Sequence, residues 1–235
     1  MSGPQVHALI PAAGYSVRFG GTTLKQYAHL LGMPVMAHSI TALIRHPAVE
    51  SVTIALAPDD GIFDQLIQPD FPSVHTVTGG DSRAQTVMNG LTFIITRHPD
   101  CEWVLVHDAA RPCLSLADLN RLLDAGLNSD AGAILAVPVH DTLKLADEAG
   151  CIKQTVDRSR YWAAQTPQLF RIGDLSVNLE TALSAGLKPT DEASAMELAG
   201  VHPLLVSGST TNIKITGAED LALAEFILQQ QSLRE

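Results

Sequence analysis

Residues 8–18 read ALIPAAGYSVR, and Lys25 and Gln26 follow a short distance downstream. The apolar start has the length of a buried β-strand, and Pro11 ends it in a loop. That loop opens with three small residues: Ala12, Ala13 and Gly14. Because these residues leave the backbone accessible, its N–H groups can hydrogen-bond anionic oxygens. Arg18 and Lys25 add two cations at a spacing that suits a triphosphate, so the stretch predicts a strand of an α/β fold followed by a nucleotide-phosphate loop.

A purely structural interpretation of this loop stays open, because many strand-to-helix turns are glycine-rich and carry a lone surface cation. The loop matches neither G-x-G-x-x-G nor G-x-x-x-x-G-K-[ST]. It is therefore neither a dinucleotide-binding fingerprint nor a Walker A loop.

Composition limits the class of protein. The chain has 235 residues, of which 46% are hydrophobic, enough to bury the core of one α/β domain over residues 1–235. The N-terminus lacks a basic region followed by an apolar one, and no stretch has the apolar length that a bilayer requires. We therefore expect a cytoplasmic protein without a membrane partner. Three cysteines without C-x-x-C spacing, Cys101, Cys113 and Cys151, argue against a disulfide framework and a cysteine zinc site.

The net charge of −10 disfavours binding to a nucleic-acid polymer, which is itself a polyanion. A nucleotide needs only a local group of cations and a metal ion. Scattered basic residues could supply that group: Arg18, Lys25, Arg158 and Lys214.

Short apolar runs alternate with helical patterns along the chain, which is typical of βαβ units in a mostly parallel, three-layer sheet. The patterns predict strands near 7–11, 51–57, 74–78, 103–107, 131–139, 203–206 and 212–215. They predict helices near 34–45, 60–67, 82–96, 115–127, 173–186, 191–199 and 218–230. The polar segment 140–154 interrupts the alternation and contains the turn signal DEAG at 147–150. It predicts a projecting hairpin arm, within 140–157, that packs on a second subunit or remains a free surface hairpin.

A second motif, VLVHDAARP at 104–112, is a buried strand that ends in an acid. Ligands of open parallel sheets lie at the carboxyl ends of the strands, so Asp108 is a candidate ligand for Mg²⁺ beside phosphates. An N-cap or a salt bridge to Arg111 is the alternative for Asp108. His107 and His140 have no partner at metal-ligand spacing, and we expect structural roles for both.

Three further motifs have a functional and a structural interpretation. In GGDSR at 79–83, Gly80 and the Thr86 hydroxyl could read a pyrimidine edge, or Asp81 could simply cap the following helix. Lys214, between two isoleucines, is either an edge-strand charge or a cation aimed into a cleft. The segment from Thr190 to Ser194 is typical of helix capping.

Taken together and in order, these motifs resemble the 2-C-methyl-D-erythritol 4-phosphate cytidylyltransferase family over nearly the whole chain. The matching motifs are Pro11-Ala12-Ala13-Gly14, Arg18, Lys25-Gln26, Gly79-Gly80-Asp81, His107-Asp108-Ala109-Ala110-Arg111-Pro112, Asp141-Thr142, Thr155-Val156-Asp157-Arg158, Gln165-Thr166-Pro167-Gln168, Thr190-Asp191-Glu192-Ala193-Ser194 and Asn212-Ile213-Lys214. The resemblance implies a Rossmann-like nucleotidyltransferase fold. It also implies transfer of CMP from CTP to methylerythritol phosphate in the non-mevalonate isoprenoid pathway, in a Mg²⁺-dependent homodimer.

The resemblance also implies residue roles. The catalytic residues, which act on the reacting phosphates, are Arg18, Lys25, Arg158 and Lys214. CTP is held by Ala12, Ala13, Gly14, Gly80, Asp81, Thr86 and Asp108, with Asp108 on the metal. Methylerythritol phosphate is held by Asp108, Arg111, Thr142, Arg158, Thr166, Thr190 and Lys214, of which Thr142 and Arg158 serve the partner's site. Two alternatives are a ribitol 5-phosphate cytidylyltransferase, which would share the CTP residues, and a nucleotide-binding protein without activity.

Overall fold

The computed structural model describes residues 5–14 and 24–233. Its strands are β1 (Val6–Pro11), β2 (His29–Leu30), β3 (Met33–Pro34), β4 (Val49–Leu56), β5 (His75–Thr78), β6 (Trp103–Val106), β7 (Ala133–Pro138), β8 (Leu143–Ala146), β9 (Ile152–Val156), β10 (Trp162–Arg171) and β11 (Leu204–Ser207). Its α-helices are α1 (Val35–Ile44), α2 (Phe63–Leu66), α3 (Arg83–Arg97), α4 (Leu116–Gly126), α5 (Ile172–Ser184), α6 (Glu192–Leu198) and α7 (Glu219–Ser232).

A seven-stranded sheet in the order β11-β7-β10-β6-β1-β4-β5 forms the centre of the fold. The pairs β1–β4, β1–β6, β4–β5 and β7–β11 are parallel, whereas β10 runs antiparallel to both β6 and β7. The mostly parallel sheet predicted from the sequence is confirmed. The long strand β10 was not predicted as a strand, because Pro167 lacks the N–H that a central strand needs. The register shifts between Ala164 and Gln168, and Pro167 lies within that interruption of the ladder.

Helices cover both faces of the sheet, as the alternation predicted. On β1, Ala8 and Ile10 pack with α1 and α4, whereas Leu9 packs with α3, α5 and α6 on the opposite face. Successive side chains of a strand point to opposite faces, so a strand buried on both sides must be apolar throughout. This requirement accounts for the uninterrupted apolar run with which β1 begins.

Three local predictions need correction. Residues 212–215 form no strand; the Ile215 N–H donates to the Ala110 carbonyl (2.8 Å) and the Asn212 side chain donates to the Thr166 carbonyl (2.9 Å). These bonds connect the segment to the loop after β6 and to the interrupted part of β10 instead of a ladder. The helix predicted near 60–67 is reduced to α2, and Ser82, not Asp81, caps α3 by accepting a hydrogen bond from the Gln85 N–H.

The predicted arm is a two-stranded antiparallel hairpin, β8 with β9, joined through a turn in which Asp147 accepts two backbone hydrogen bonds. Its side chains are almost all exposed. A two-stranded hairpin with so little burial gains little stability from its own contacts.

Among the described residues, no helix has both the length and the apolar character that crossing a bilayer requires.

Candidate active site

A cleft of about 570 Å³ opens at the carboxyl ends of β1 and β6. It brings together predicted residues from four separate parts of the sequence: Ala12, Ala13, Gly14, Lys25, Gly80, Asp81, Thr86, Asp108 and Lys214. Arg18 lies outside the described residues. The parallel strands explain the convergence, because β1 and β6 end at this edge and the loops that follow them meet there.

Asp108 lies at the centre of the charged groups in the cleft. Its carboxylate oxygens are 2.7 Å from Lys214 Nζ, 3.4 Å from Arg83 Nη2 and 3.7 Å from Arg111 Nε. Burial alone would raise the pKa of Asp108, but these three cations hold the pKa well below its usual range. Asp108 is therefore a carboxylate at neutral pH. Its predicted salt bridge to Arg111 is present, and it is not an N-cap.

A chain of hydrogen bonds fixes the position of Asp108. The Asp108 N–H donates to Thr166 Oγ1 (2.9 Å), and Thr166 Oγ1 lies 3.1 Å from His107 Nδ1. The other ring nitrogen of His107, Nε2, lies 3.1 Å from the Arg111 carbonyl oxygen. Because a carbonyl only accepts, Nε2 carries the proton, and Nδ1 accepts from the Thr166 hydroxyl. His107 thus has the structural role predicted for it, and Thr166 acts on the site through Asp108.

This arrangement predicts a pH dependence of stability. Burial lowers the pKa of His107 from 6.5 to about 4. The folded-state pKa is the lower one, so the unfolded chain binds the extra proton and stability falls as pH drops from 6.5 to about 4. The loss from this residue is on the order of 3 kcal/mol. In urea unfolding across this pH range, His107→Gln should show a flatter dependence than the unaltered protein, whereas His140→Gln, at an exposed position, should not. Equal slopes in all three proteins would contradict the argument.

Lys214 points into the cleft and is not an edge-strand charge. Its segment is held by two hydrogen bonds besides the Ile215 N–H: Arg111 Nη1 donates to the Asn212 carbonyl (2.7 Å), and Asn212 Nδ2 donates to the Thr166 carbonyl (2.9 Å). The Lys214 side chain is 40% exposed, so its ammonium group reaches both Asp108 and the solvent of the cleft. It can therefore meet an anionic ligand without losing its anchored backbone.

Arg83 and Glu192 were not predicted as site residues. Arg83 Nη1 lies 2.5 Å from Glu192 Oε1, and Arg83 Nη2 lies 3.0 Å from Glu192 Oε2 and 3.4 Å from Asp108 Oδ1. Burial lowers the pKa of Arg83, but the carboxylates of Glu192 and Asp108 outweigh it and the pKa is raised. The guanidinium therefore stays charged and links α6 to the cleft. A weak signal was present in the sequence, since Arg83 begins the helix that follows the Gly-Gly turn.

The turn at 79–82 is closed by Thr86. The Gly80 N–H donates to Thr86 Oγ1 (3.1 Å), and Thr86 Oγ1 donates to the Ser82 carbonyl (2.8 Å). A Cβ on Gly79 would lie 2.6 Å from Ala13 Cβ, so glycine lets this turn approach the loop after β1. The Thr86 hydroxyl therefore shapes the turn, and the Asp81 side chain, which is exposed, is left at the mouth of the cleft.

Five of the predicted substrate residues do not line the cleft. Arg111 and Thr166 lie behind Asp108 and contact it. Thr142 and Arg158 are exposed on or beside the arm, where Asp157 caps the short turn that contains Arg158. Thr190 is exposed too, and its N–H donates to Ser194 Oγ (2.9 Å). Asp191 and Ser194 form a capping box there, in the segment for which the sequence predicts helix capping.

The donor set of the cleft fits a Mg²⁺ ion held mainly by a ligand's phosphates. Mg²⁺ prefers oxygen ligands and is usually bound through one or two carboxylates together with substrate phosphates. Asp108 offers carboxylate oxygens, and Asp81 also lines the cleft. Asp108 Oδ2 is paired with Lys214 here, so a metal ion at this oxygen requires the ammonium group to find another anion.

A sequence profile of the family described as 2-C-methyl-D-erythritol 4-phosphate cytidylyltransferase (IspD) matches residues 6–230. The chain belongs to this family. The cytidylyltransferase of Tolumonas auensis is 46% identical over 226 residues, covering 96% of this chain and 97% of that protein. The cytidylyltransferase of Yersinia pseudotuberculosis serotype I is 48% identical over 232 residues, covering 98% of this chain and 95% of that protein.

Solved structures of the cytidylyltransferase family share the fold. A crystal structure of 4-diphosphocytidyl-2C-methyl-D-erythritol synthase superposes with a TM-score of 0.84 at 41% identity, covering 97% of this chain and all of that one. The Francisella tularensis cytidylyltransferase superposes with a TM-score of 0.82 at 33% identity, covering 95% and 99%. The predicted family and its Rossmann-like nucleotidyltransferase fold are confirmed.

Proposed function

We propose that the cleft around Asp108 is where this chain carries out the cytidylyltransferase reaction: transfer of CMP from CTP to 2-C-methyl-D-erythritol 4-phosphate, with release of pyrophosphate. The observation that carries the proposal is the placement of Lys214 and Arg83 on Asp108, in the same cleft as the small residues 12–14. Cations are the groups that a triphosphate requires, and small residues let its phosphates approach the backbone closely.

The reaction needs positioning and charge neutralisation more than covalent help from the protein. An oxygen of the methylerythritol phosphate attacks the α-phosphorus of CTP, and the bond to pyrophosphate breaks on the opposite side. Negative charge grows on the triphosphate as this happens, and cations aimed at it lower the barrier. In our proposal Arg18 and Lys25 hold the triphosphate and Lys214 holds the attacking phosphate. Residues 12–14, Gly80, Asp81 and Thr86 surround the cytidine.

Mg²⁺ is the metal we propose for this reaction, held by the phosphates of CTP and Asp108. When bound it supplies Lewis-acid neutralisation of phosphate charge. With Asp108 engaged in this way, Lys214 would be available to the incoming phosphate, and Arg83 and Arg111 would still hold the Asp108 side chain in place.

The exposed arm supports the proposal of a homodimer in which residues 140–157 of one subunit complete the partner's site. Thr142 and Arg158 do not line the cleft of their own chain, although the family resemblance places both at the methylerythritol phosphate. Thr190 would border the same pocket.

Two further elements of the proposal are a cytoplasmic location and the absence of nucleic-acid polymers among the partners. The net charge of −10 suits the second of these.

The shared site predicts subunit complementation. Arg158→Ala and Lys214→Ala should each lose most turnover as homodimers. In mixed dimers, one of the two sites then carries both changes and the other carries neither. We expect about half of the normal activity per mixed dimer, measured as pyrophosphate release after co-expression with two different tags and tandem purification. A mixed dimer as inactive as its parents would show that each site uses Arg158 of its own chain.

The experiment that tests the function is pyrophosphate release from CTP with 2-C-methyl-D-erythritol 4-phosphate or ribitol 5-phosphate at equal concentrations. We expect strong preference for methylerythritol phosphate and dependence on Mg²⁺. Preference for ribitol 5-phosphate would keep the CTP site and replace the acceptor. Binding of CTP without turnover of either would leave a nucleotide-binding protein and overturn the proposal.

A further inference from the structure

A second cleft, of about 470 Å³, lies at the opposite edge of the sheet, where the parallel strands begin. It contains His7 near the start of β1, Glu50 near the start of β4, and His98 directly after α3. The active-site cleft lies at the other ends of the same strands. None of the three residues takes part in the cytidylyltransferase reaction proposed above.

The three side chains present metal-ligating atoms to one point. One such atom from each residue lies within 4.8 Å of the others. The imidazole rings of His7 and His98 are 4.2 Å apart between centroids, and His7 Nε2 is 3.5 Å from Glu50 Oε2. His98 Nε2 is enclosed by protein and has no hydrogen-bond partner. An enclosed polar nitrogen without a partner is costly, and a ligand that binds it removes that cost.

The surroundings of His7 also suit a metal ligand. Its Nδ1 is hydrogen-bonded to Ser51 Oγ at 2.8 Å. Metal-binding histidines usually engage their second ring nitrogen in this way, which fixes the orientation of the ring and leaves the first nitrogen for the metal.

We propose that His7, Glu50 and His98 form a binding site for a divalent transition-metal ion of the Zn²⁺ class. Two imidazoles and one carboxylate suit Zn²⁺, whereas Mg²⁺ prefers an all-oxygen shell. Metal–ligand bonds of about 2.0–2.2 Å require the donor atoms to approach more closely than they do here. The Glu50 side chain is 50% exposed and has the freedom to make that approach.

Two neighbours define the limits of the site. Cys101 also lines the cleft, but its Sγ–H donates to the Trp103 carbonyl. Water is therefore the expected fourth ligand. His75 lies near the site, with its ring centroid 6.4 Å from that of His98, but accepts a hydrogen bond from Arg97 Nε. It serves as the control histidine.

The site would tie the start of the sheet to the end of α3. The other end of α3 carries Arg83 and Thr86 of the active-site cleft, at the far side of the molecule. We therefore expect a bound metal ion to stabilise the folded chain without contacting the residues of the active-site cleft. Anything that binds only the folded state raises its thermal midpoint.

The test is titration of the full chain with Zn²⁺, in excess Mg²⁺ so that all-oxygen sites are filled. Isothermal titration calorimetry gives affinity and stoichiometry, thermal unfolding gives stabilisation, and circular dichroism verifies the fold of each variant. We expect one Zn²⁺ per chain in the unaltered protein and in His75→Gln. In His98→Gln and Glu50→Gln we expect affinity to fall by more than about tenfold and the rise in thermal midpoint to disappear.

Three results would overturn the proposal: no stoichiometric binding by the unaltered protein, equal affinity in His98→Gln, or an equal loss in His75→Gln. Co²⁺ in place of Zn²⁺ gives an independent readout, because its visible absorption bands depend on its ligands. These bands should change in Glu50→Gln and not in His75→Gln. Turnover with methylerythritol phosphate is measured separately, so a failure of the metal site and a failure of the proposed function are distinguishable.

Discussion

Lys214→Ala is expected to lower kcat/KM by about 10³-fold, as the loss of one preorganised charge from a phosphate site does in other enzymes. The Lys214 ammonium group lies in the cleft on a segment whose backbone is anchored to Ala110 and Thr166. The backbone that carries Lys214 therefore needs little rearrangement when the phosphate binds. Lys25→Ala, which removes the cation beside the loop at 12–14, is expected to lower turnover to a similar extent.

The measurement is steady-state pyrophosphate release, with urea unfolding as a measure of stability. Asp108 keeps Arg83 and Arg111 as partners, so Lys214→Ala should change stability little while turnover collapses. Lys188→Ala, at an exposed position, is the matched control and should behave like the unaltered protein. Near-normal kcat/KM for both Lys214→Ala and Lys25→Ala would show that the reacting phosphates are held by other groups.

The elements that the sequence predicted well are those whose pattern depends on burial. The run at 8–11 is apolar because both faces of β1 are covered, and the acid at 108 follows a strand buried in the same way. A reader of the sequence can therefore place Asp108, Lys25 and residues 12–14 at one edge of a parallel sheet.

The errors came from segments whose conformation depends on distant partners. Isoleucines 213 and 215 have the pattern of a strand, but the segment donates its hydrogen bonds to the carbonyls of Ala110 and Thr166 and not to a neighbouring strand. Strand β10 contains a proline and was not predicted as a strand, because only the register shift in the folded sheet accommodates it. The short β2–β3 hairpin turns at Leu31 (φ 49°) and Gly32 (φ 83°), and a leucine in the left-handed region is not a recognisable turn signal.

The largest omission was the pair of Arg83 and Glu192. The two residues are separated by more than a hundred positions, and neither belongs to a motif whose local chemistry requires the other. Long-range pairing of single charges has no periodicity that a sequence pattern could carry. The fold alone shows that α3 and α6 meet through a bidentate ion pair at the edge of the active-site cleft.

That ion pair leads to the second large prediction. Glu192 is 2% exposed, and Glu192→Leu would leave the Arg83 guanidinium with only its longer contact to Asp108. Removing one partner of a buried ion pair costs about 3–5 kcal/mol, and because the Arg83 side chain is 30% exposed we expect a loss at the lower end of this range. Urea unfolding at fixed protein concentration should show a loss of this size.

The double variant Arg83→Met/Glu192→Leu separates the structural and functional roles of the pair. Apolar side chains of similar volume often replace a buried ion pair without loss, so the double variant should recover most of the stability that Glu192→Leu loses. Turnover should not recover, because Arg83 also lies 3.4 Å from Asp108 and lines the cleft. If turnover returned together with stability, Arg83 would serve only to hold α6. If neither returned, the Arg83 guanidinium itself would be needed to hold Asp108 and α6 in place.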